Sequence, residues 1–300
     1  MTASTSLPPA PVRRSRRPAE RIHYLLLLPA LILFTLAVTV PAVTGIFFSF
    51  TDSLGFGDWQ FIGITNYEAA FSDPAILQSY AFTIGFAVVT VLLVNVIAFL
   101  LALGMTSRIA ATSTLRAVFV MPMVISGIII AYVFNFLFSY SVPAIASALG
   151  IEPLATTVLT NPDLAWIALV IVTAWQAVPG IMLVYIAGLL AVPGDVYEAA
   201  ALDGARRGQR LLRITLPLMS SYVAINVILG FKNFLNSYDI IVGLTNGGPG
   251  TSTRSIAMTV ITGFTSGDYA YQMANATIFL AFTVLVSLLQ LSLTRGRTVL

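Results

Sequence analysis

Six stretches without a charged side chain, residues 22–51, 74–107, 117–151, 164–194, 214–231 and 269–294, constrain this chain more than any other feature. A helix needs about 20 apolar residues to cross the hydrocarbon core of a bilayer. Backbone in hydrocarbon must satisfy its own hydrogen bonds, so such stretches become helices or a closed barrel. These stretches are longer than barrel strands and lack strict apolar–polar alternation. The sequence therefore predicts an all-α membrane protein with six spans, near 24–50, 77–106, 117–139, 164–191, 221–245 and 270–294. The first span has a basic flank, but its apolar run exceeds that of a signal peptide, so it reads as a span.

Orientation follows from the basic residues, which favour the cytoplasmic side in short loops. Arg13, Arg14, Arg16, Arg17 and Arg21 precede span 1, and Arg108 and Arg116 flank the loop between spans 2 and 3. Arg206, Arg207, Arg210 and Arg213 fill the 4–5 loop, and Arg295 and Arg297 follow span 6. Thirteen of the fifteen Lys and Arg residues thus share one side, which places both termini in the cytoplasm. The net charge of +3 reads as topology and not as nucleic-acid binding. Residues 1–22, basic and rich in proline, are expected to form a disordered cytoplasmic tail, and residues 23–297 the membrane domain.

Several chemistries are missing. The chain has no cysteine, which excludes disulfides, thiolate nucleophiles and cysteine metal sites. Lys232 is the only lysine, and no phosphate-cradling G-x-x-x-x-G-K-[ST] loop surrounds it. Asn246-Gly-Gly-Pro-Gly250 reads as a tight turn ending span 5. The single His23 has no metal partner in spacing and sits at an interface. No cofactor is expected. Ion-driven transporters place charged groups inside the membrane, yet spans 1, 2, 3, 4 and 6 hold none. An energy source outside the chain is the simplest inference.

The 4–5 loop, residues 192–220, is the most structured connection. Asp195 three residues before Glu198 predicts a capping box opening a short helix, which Gly204 ends. A second helix is expected to align Arg206, Arg210 and Arg213 on one face, with Pro217 opening span 5. Two readings fit: an interfacial helix with arginines against lipid phosphates, or a docking helix for a soluble partner, with small alanines allowing close approach.

Glu198-Ala-Ala-Ala-Leu-Asp-Gly-Ala205 followed by Ile214-Thr-Leu-Pro217 resembles the E-A-A…G…I-x-L-P loop of permease subunits of bacterial ATP-binding-cassette importers. Phe61-Ile-Gly-Ile-Thr-Asn-Tyr67, Leu115-Arg-Ala-Val-Phe-Val-Met-Pro122 and Leu244-Thr-Asn-Gly-Gly-Pro249 resemble further segments of the carbohydrate-uptake class, in its maltose-type first permease. The extra N-terminal spans and the large outer insertion of the maltose type are absent. Tyr80-Ala-Phe-Thr83 replaces the more usual N-T-x start of span 2.

The resemblance implies the type I importer (MetI-like) permease fold. It also implies a heterodimer with a second six-span permease, two cytoplasmic ATPase subunits, an extracytoplasmic solute-binding protein and a neutral sugar as substrate. Glu198, Ala199, Ala200, Asp203, Gly204, Ile214, Leu216 and Pro217 would couple to the ATPase. Met123, Gly127, Thr173, Gln176, Ala177, Gly180, Asn233, Phe234 and Ser237 would face the substrate pathway. From the residues alone, Asn233, Asn236 and Ser237 equally suit hydrogen bonds between helices, and Phe234 and Trp175 offer faces to a sugar. Lys232 suits either snorkelling, a pair with Asp239, or a charged solute such as a glycerol phosphate. A stand-alone secondary transporter is the remaining alternative, and the docking loop argues against it.

Overall fold

The computed structural model describes residues 21–107 and 112–295. Expectations for the tail up to residue 20, for Arg108 and for Arg297 lie outside the described residues. The chain divides into two units, 1–47 and 48–300. The first contains one apolar helix, α1 (Tyr24–Phe48).

The second unit begins with a turn that Asn66 pins. Its side-chain amide donates to the carbonyls of Ser49 (2.9 Å) and Thr51 (2.8 Å), while Thr51 pairs antiparallel with Phe61. This gives the Asn66-Tyr67 segment a structural reason. Then follow α2 (Thr65–Ser72), α3 (Pro74–Thr106), α4 (Thr112–Val124), α5 (Gly127–Ala148), α6 (Pro162–Ala191), α7 (Gly194–Leu202), α8 (Arg207–Leu218), α9 (Ser220–Leu235), α10 (Asp239–Leu244), α11 (Ile256–Thr265) and α12 (Tyr269–Arg295). Among the described residues, five helices are long and apolar enough to cross a membrane, and α8 with α9 makes a sixth, bent by 66°.

Spans 2, 4 and 6 fall where expected, but spans 3 and 5 do not. Span 3 is not continuous over 117–139. Its helix stops at Val124, Ser126 is extended (ψ 136°), and a new helix runs from Gly127 to Ala148. Pro122 cannot donate a backbone hydrogen bond, which weakens the helix just before this break. Span 5 likewise stops at Leu235 and resumes at Asp239, so 221–245 is two helices. Wide π-helical turns at Thr35–Thr39, Leu137–Ser141 and Leu211–Thr215 each end two residues before a proline, Pro41, Pro143 or Pro217. A proline ring collides with the carbonyl four residues back, and a wider turn moves that carbonyl aside. Pro179 sits in α6 without such a turn, and nothing in the structure explains the difference.

The core lies where α3 and α6 cross, with α5, α9 and α10 packed around them. Ala87, Val94, Ala98 and Ala102 of α3 and Leu169, Val172 and Met182 of α6 are buried. Small residues let backbones approach closely, which supplies van der Waals energy where lipid removes the hydrophobic drive. Gly243 of α10 makes such an approach: a methyl group there would sit 2.6 Å from Cβ of Ala131 in α5. Gly243→Ala should therefore lower the unfolding temperature of the detergent-solubilised protein, with a cost of about 1–3 kcal/mol. Gly85→Ala, with open space around its Cβ position, should be neutral or stabilising. Equal melting of the two variants would show that α10 shifts freely against α5.

Candidate functional site

The 4–5 loop is a built hairpin of two helices. After α6, Val192 and Pro193 are extended (ψ 123° and 136°) and turn the chain into α7. The expected capping box is not formed. α7 begins at Gly194 with Pro193 as its cap residue, and no side chain caps it. Asp195 therefore lies inside the first turn, where its charge favours the helix dipole instead.

The end of α7 matches expectation. Gly204 has φ +74°, its N–H donates to Ala201 (3.1 Å), and that of Ala205 donates to Ala200 (2.9 Å). These two bonds define a Schellman motif, which needs a left-handed residue at the position of Gly204. A second stretch then starts at Arg207, with Arg206 extended (ψ 159°) and its N–H donating to Gln209 Oε1 at 2.8 Å. Arg206, Arg210 and Arg213 consequently do not share one helical face. Arg206 precedes the helix, and the wide turn over Leu211–Thr215 rotates Arg213 out of register.

Two hydrogen bonds hold the hairpin together. The Tyr197 hydroxyl bonds the Thr215 hydroxyl at 3.0 Å, Arg210 Nε donates to the Ala205 carbonyl at 2.9 Å, and Thr215 is buried. Ala200 faces inward, while Glu198, Ala199, Leu202, Asp203 and Gly204 face outward, Leu202 being 90% exposed. Ile214 and Leu216 are half-buried and Pro217 is exposed. The outward face of α7 is thus a small, rigid ridge with one acidic group at its centre. Beyond it, Met219 and Tyr222 close over Gly188 of α6, where an added Cβ would meet the Tyr222 ring at 2.8 Å. That contact locks the bend between α8 and α9 onto α6.

Four of the expected pathway residues gather at the break in span 3. Gln176 Nε2 donates to the Ile125 carbonyl at 2.9 Å, a Cβ on Gly127 would lie 3.5 Å from Gln176 Oε1, and one on Gly180 would lie 3.4 Å from the Met123 sulfur. Asp239 and Ile240 of α10 border the same place. Ala177 is half-buried beside the core, and Thr173 is buried with no partner for its hydroxyl among the described residues. Phe234 departs from its expected role. It is 6% exposed and belongs to the core, so it presents no free face to a sugar. Asn233 is exposed, with no side-chain hydrogen bond among the described residues, and Ser237 is half-buried. Lys232 and Asp239 form no ion pair among the described residues; Lys232 instead borders an apolar groove with Asn236, Val260, Phe279 and Thr283.

One cleft escaped the sequence reading. Tyr132, Asn135, Ser139, Thr157, Thr160 and Asn246 line a space of about 550 Å³ at the other end of the molecule from α7, with no charged residue among its walls. The Asn246–Gly250 turn forms its rim as a tight turn, with Asn246 and Gly247 at positive φ. Polar residues spread over three separate segments give no periodic signal, so only the fold brings them together.

The family described as binding-protein-dependent transport system inner membrane component matches over residues 95–300. A probable permease of a starch degradation products transport system from Thermoanaerobacterium thermosulfurigenes is 31% identical, over 92% of this chain and 95% of its own length. The permease of a multiple sugar-binding transport system from Streptococcus mutans is 32% identical, over 90% and 93%. A chain of a bacterial alginate ABC transporter, solved with a pentasaccharide-bound periplasmic protein, has the same fold, with a TM-score of 0.80 at 20% identity over 92% of this chain and 94% of that one. The bent and broken spans around a protruding α7 are therefore those of a multi-pass transporter subunit, and the chain belongs to the binding-protein-dependent transport system inner membrane component family.

Proposed function

We propose that this chain forms half of the translocation pathway of an ATP-binding-cassette importer for a neutral sugar. A different six-span permease forms the other half, two cytoplasmic ATPase subunits bind the α7 ridges, and an extracytoplasmic binding protein delivers the solute. The observation that carries this reading is α7, a nine-residue helix fixed at both ends and presenting Glu198. Each chain offers one such ridge, and an ATPase dimer has two clefts to fill. In this reading the partner ATPase subunits supply the hydrolysis, since the chain has no phosphate-binding loop of its own for a nucleotide. The sugar assignment rests on the transport systems named for the relatives and on the uncharged outer cleft with Tyr132 and Asn135. Sugars present hydroxyls and C–H faces, which amides, hydroxyls and an aromatic ring meet without charge.

Coupling tests the reading first. Glu198→Ala should leave the protein inserted and lower both uptake and ATPase stimulation in reconstituted vesicles. Losing one partner of a desolvated charge pair costs about 2–5 kcal/mol. Gly204→Leu should do the same by straining the left-handed residue that ends α7. Near-normal coupled uptake by both variants would remove the docking role.

Topology is tested with reporter fusions. Fusions at Gly57, Ser107, Gly150, Gln209 and Gly267 should read out, in, out, in, out. An outside signal at Gln209 would overturn the assignment.

A charged solute is the second reading, favoured by the exposed Lys232. Asn233→Ala should reduce sugar uptake about 10-fold if it bonds a substrate hydroxyl, since 1.4 kcal/mol is a factor of ten. Lys232→Met should be mild. Abolished uptake in Lys232→Met with normal Asn233→Ala would replace the neutral sugar by an anionic solute.

A further inference from the structure

Beneath the α7 ridge lies a cleft of about 450 Å³ that the coupling role does not use. Its walls are Leu103 and Thr106 at the end of α3, Leu189 and Leu190 at the end of α6, and Tyr197, Arg207, Arg210, Leu211 and Thr215 of the hairpin. Both long spans end within a residue or two of this place, at Thr106 and Ala191, so the cleft sits at the membrane surface. One side is basic and the other is apolar.

Arg207 is exposed, and its side chain makes no hydrogen bond or ion pair among the described residues. Arg210 spends only its Nε, on Ala205, which leaves its terminal amino groups unused there. No carboxylate lines the cleft. Guanidinium groups bind phosphate oxygens in bidentate fashion. Leucine walls at the membrane surface suit an acyl chain; they contribute nothing to a free anion. Leu190 in particular is 70% exposed. Basic pockets between spans on the cytoplasmic side take lipid headgroups.

We infer that this cleft seats an anionic phospholipid of the cytoplasmic leaflet, its phosphate between Arg207 and Arg210 and one acyl chain along Leu103, Leu189 and Leu190. The lipid would then wedge between the ends of two spans and the hairpin that carries Glu198. Its occupancy would set how firmly α7 is held. The inference assumes only that this end of the molecule faces the cytoplasm, and it is independent of which solute is carried.

The test uses the assembled transporter in phosphatidylcholine nanodiscs with trace spin-labelled phosphatidylglycerol or phosphatidylcholine. The immobilised fraction of phosphatidylglycerol should exceed that of phosphatidylcholine. Arg207→Gln should weaken that preference about fivefold, on the worth of one basic residue at an anionic surface. Arg207→Gln breaks no side-chain hydrogen bond among the described residues, so folding is not at issue, and Arg210→Lys, which retains charge but loses the fork, should weaken the preference as well. Equal immobilisation of the two lipids in the wild type, or an unchanged preference in Arg207→Gln, overturns the site. Displacement of the labelled lipid by millimolar inorganic phosphate would show an anion site without lipid specificity and would also overturn it.

Discussion

Everything in this structure depends on one constraint: a carbonyl freed inside hydrocarbon has no water to bond. The chain breaks its spans anyway, and polar side chains act as the missing solvent. Gln176 reaches across from α6 to the Ile125 carbonyl at the break in span 3. Asn135 in α5 donates to the Leu244 carbonyl at the end of α10 (2.6 Å). Asn226 is buried in α9 and donates to Ile181 of α6 at 3.4 Å. Each such bond ties an irregular or paired segment to a neighbouring helix. The pairing between spans is thereby set where it would otherwise rest on packing alone.

The hairpin that carries α7 follows the same logic in a wetter place. Its turn residues satisfy their own backbone through the Schellman bonds. Tyr197 then spends its hydroxyl, and Arg210 its Nε, inside the loop. What remains outward on α7 is nearly bare: two acidic groups, small alanines and Leu202. A partner that docks there meets a surface with little conformational entropy left to lose.

Much of this was legible from charge and hydropathy. Four of the six spans lie within a few residues of where their apolar runs put them, and Gly204 marked the end of α7 correctly. The two misplaced spans failed because a break is hard to see in an apolar run. Continuous apolar composition hides the break at Ser126, because the residues on both sides of it are equally suited to lipid, and the apolar run that resumes at Ile240 hides the one at Asn236. Pro122 was a signal for the first break, and the run Asn236-Ser237-Tyr238-Asp239 for the second. The arginine face failed because a wide turn adds a residue to the helix, and one residue is about 100° of rotation. Phe234 failed because a resemblance carries positions and not orientations; in this chain α9 directs it into the core. The absence of a cap at Asp195 has a simpler origin. Pro193 already supplies the extended residue that begins α7, two positions earlier.

The 66° bend between α8 and α9 has a mechanical meaning. α8 leads away from the ridge, and α9 runs into the bilayer. With Met219 and Tyr222 seated on Gly188, the bend is a fixed elbow and not a loose joint. A push along the axis of α8 therefore arrives mostly sideways at α9, since its axis makes a large angle with the thrust. Such a linkage has the geometry of a crank and not of a piston: the larger component of a thrust along α8 lies across α9, in the direction that would part helices and not drive one through the bilayer.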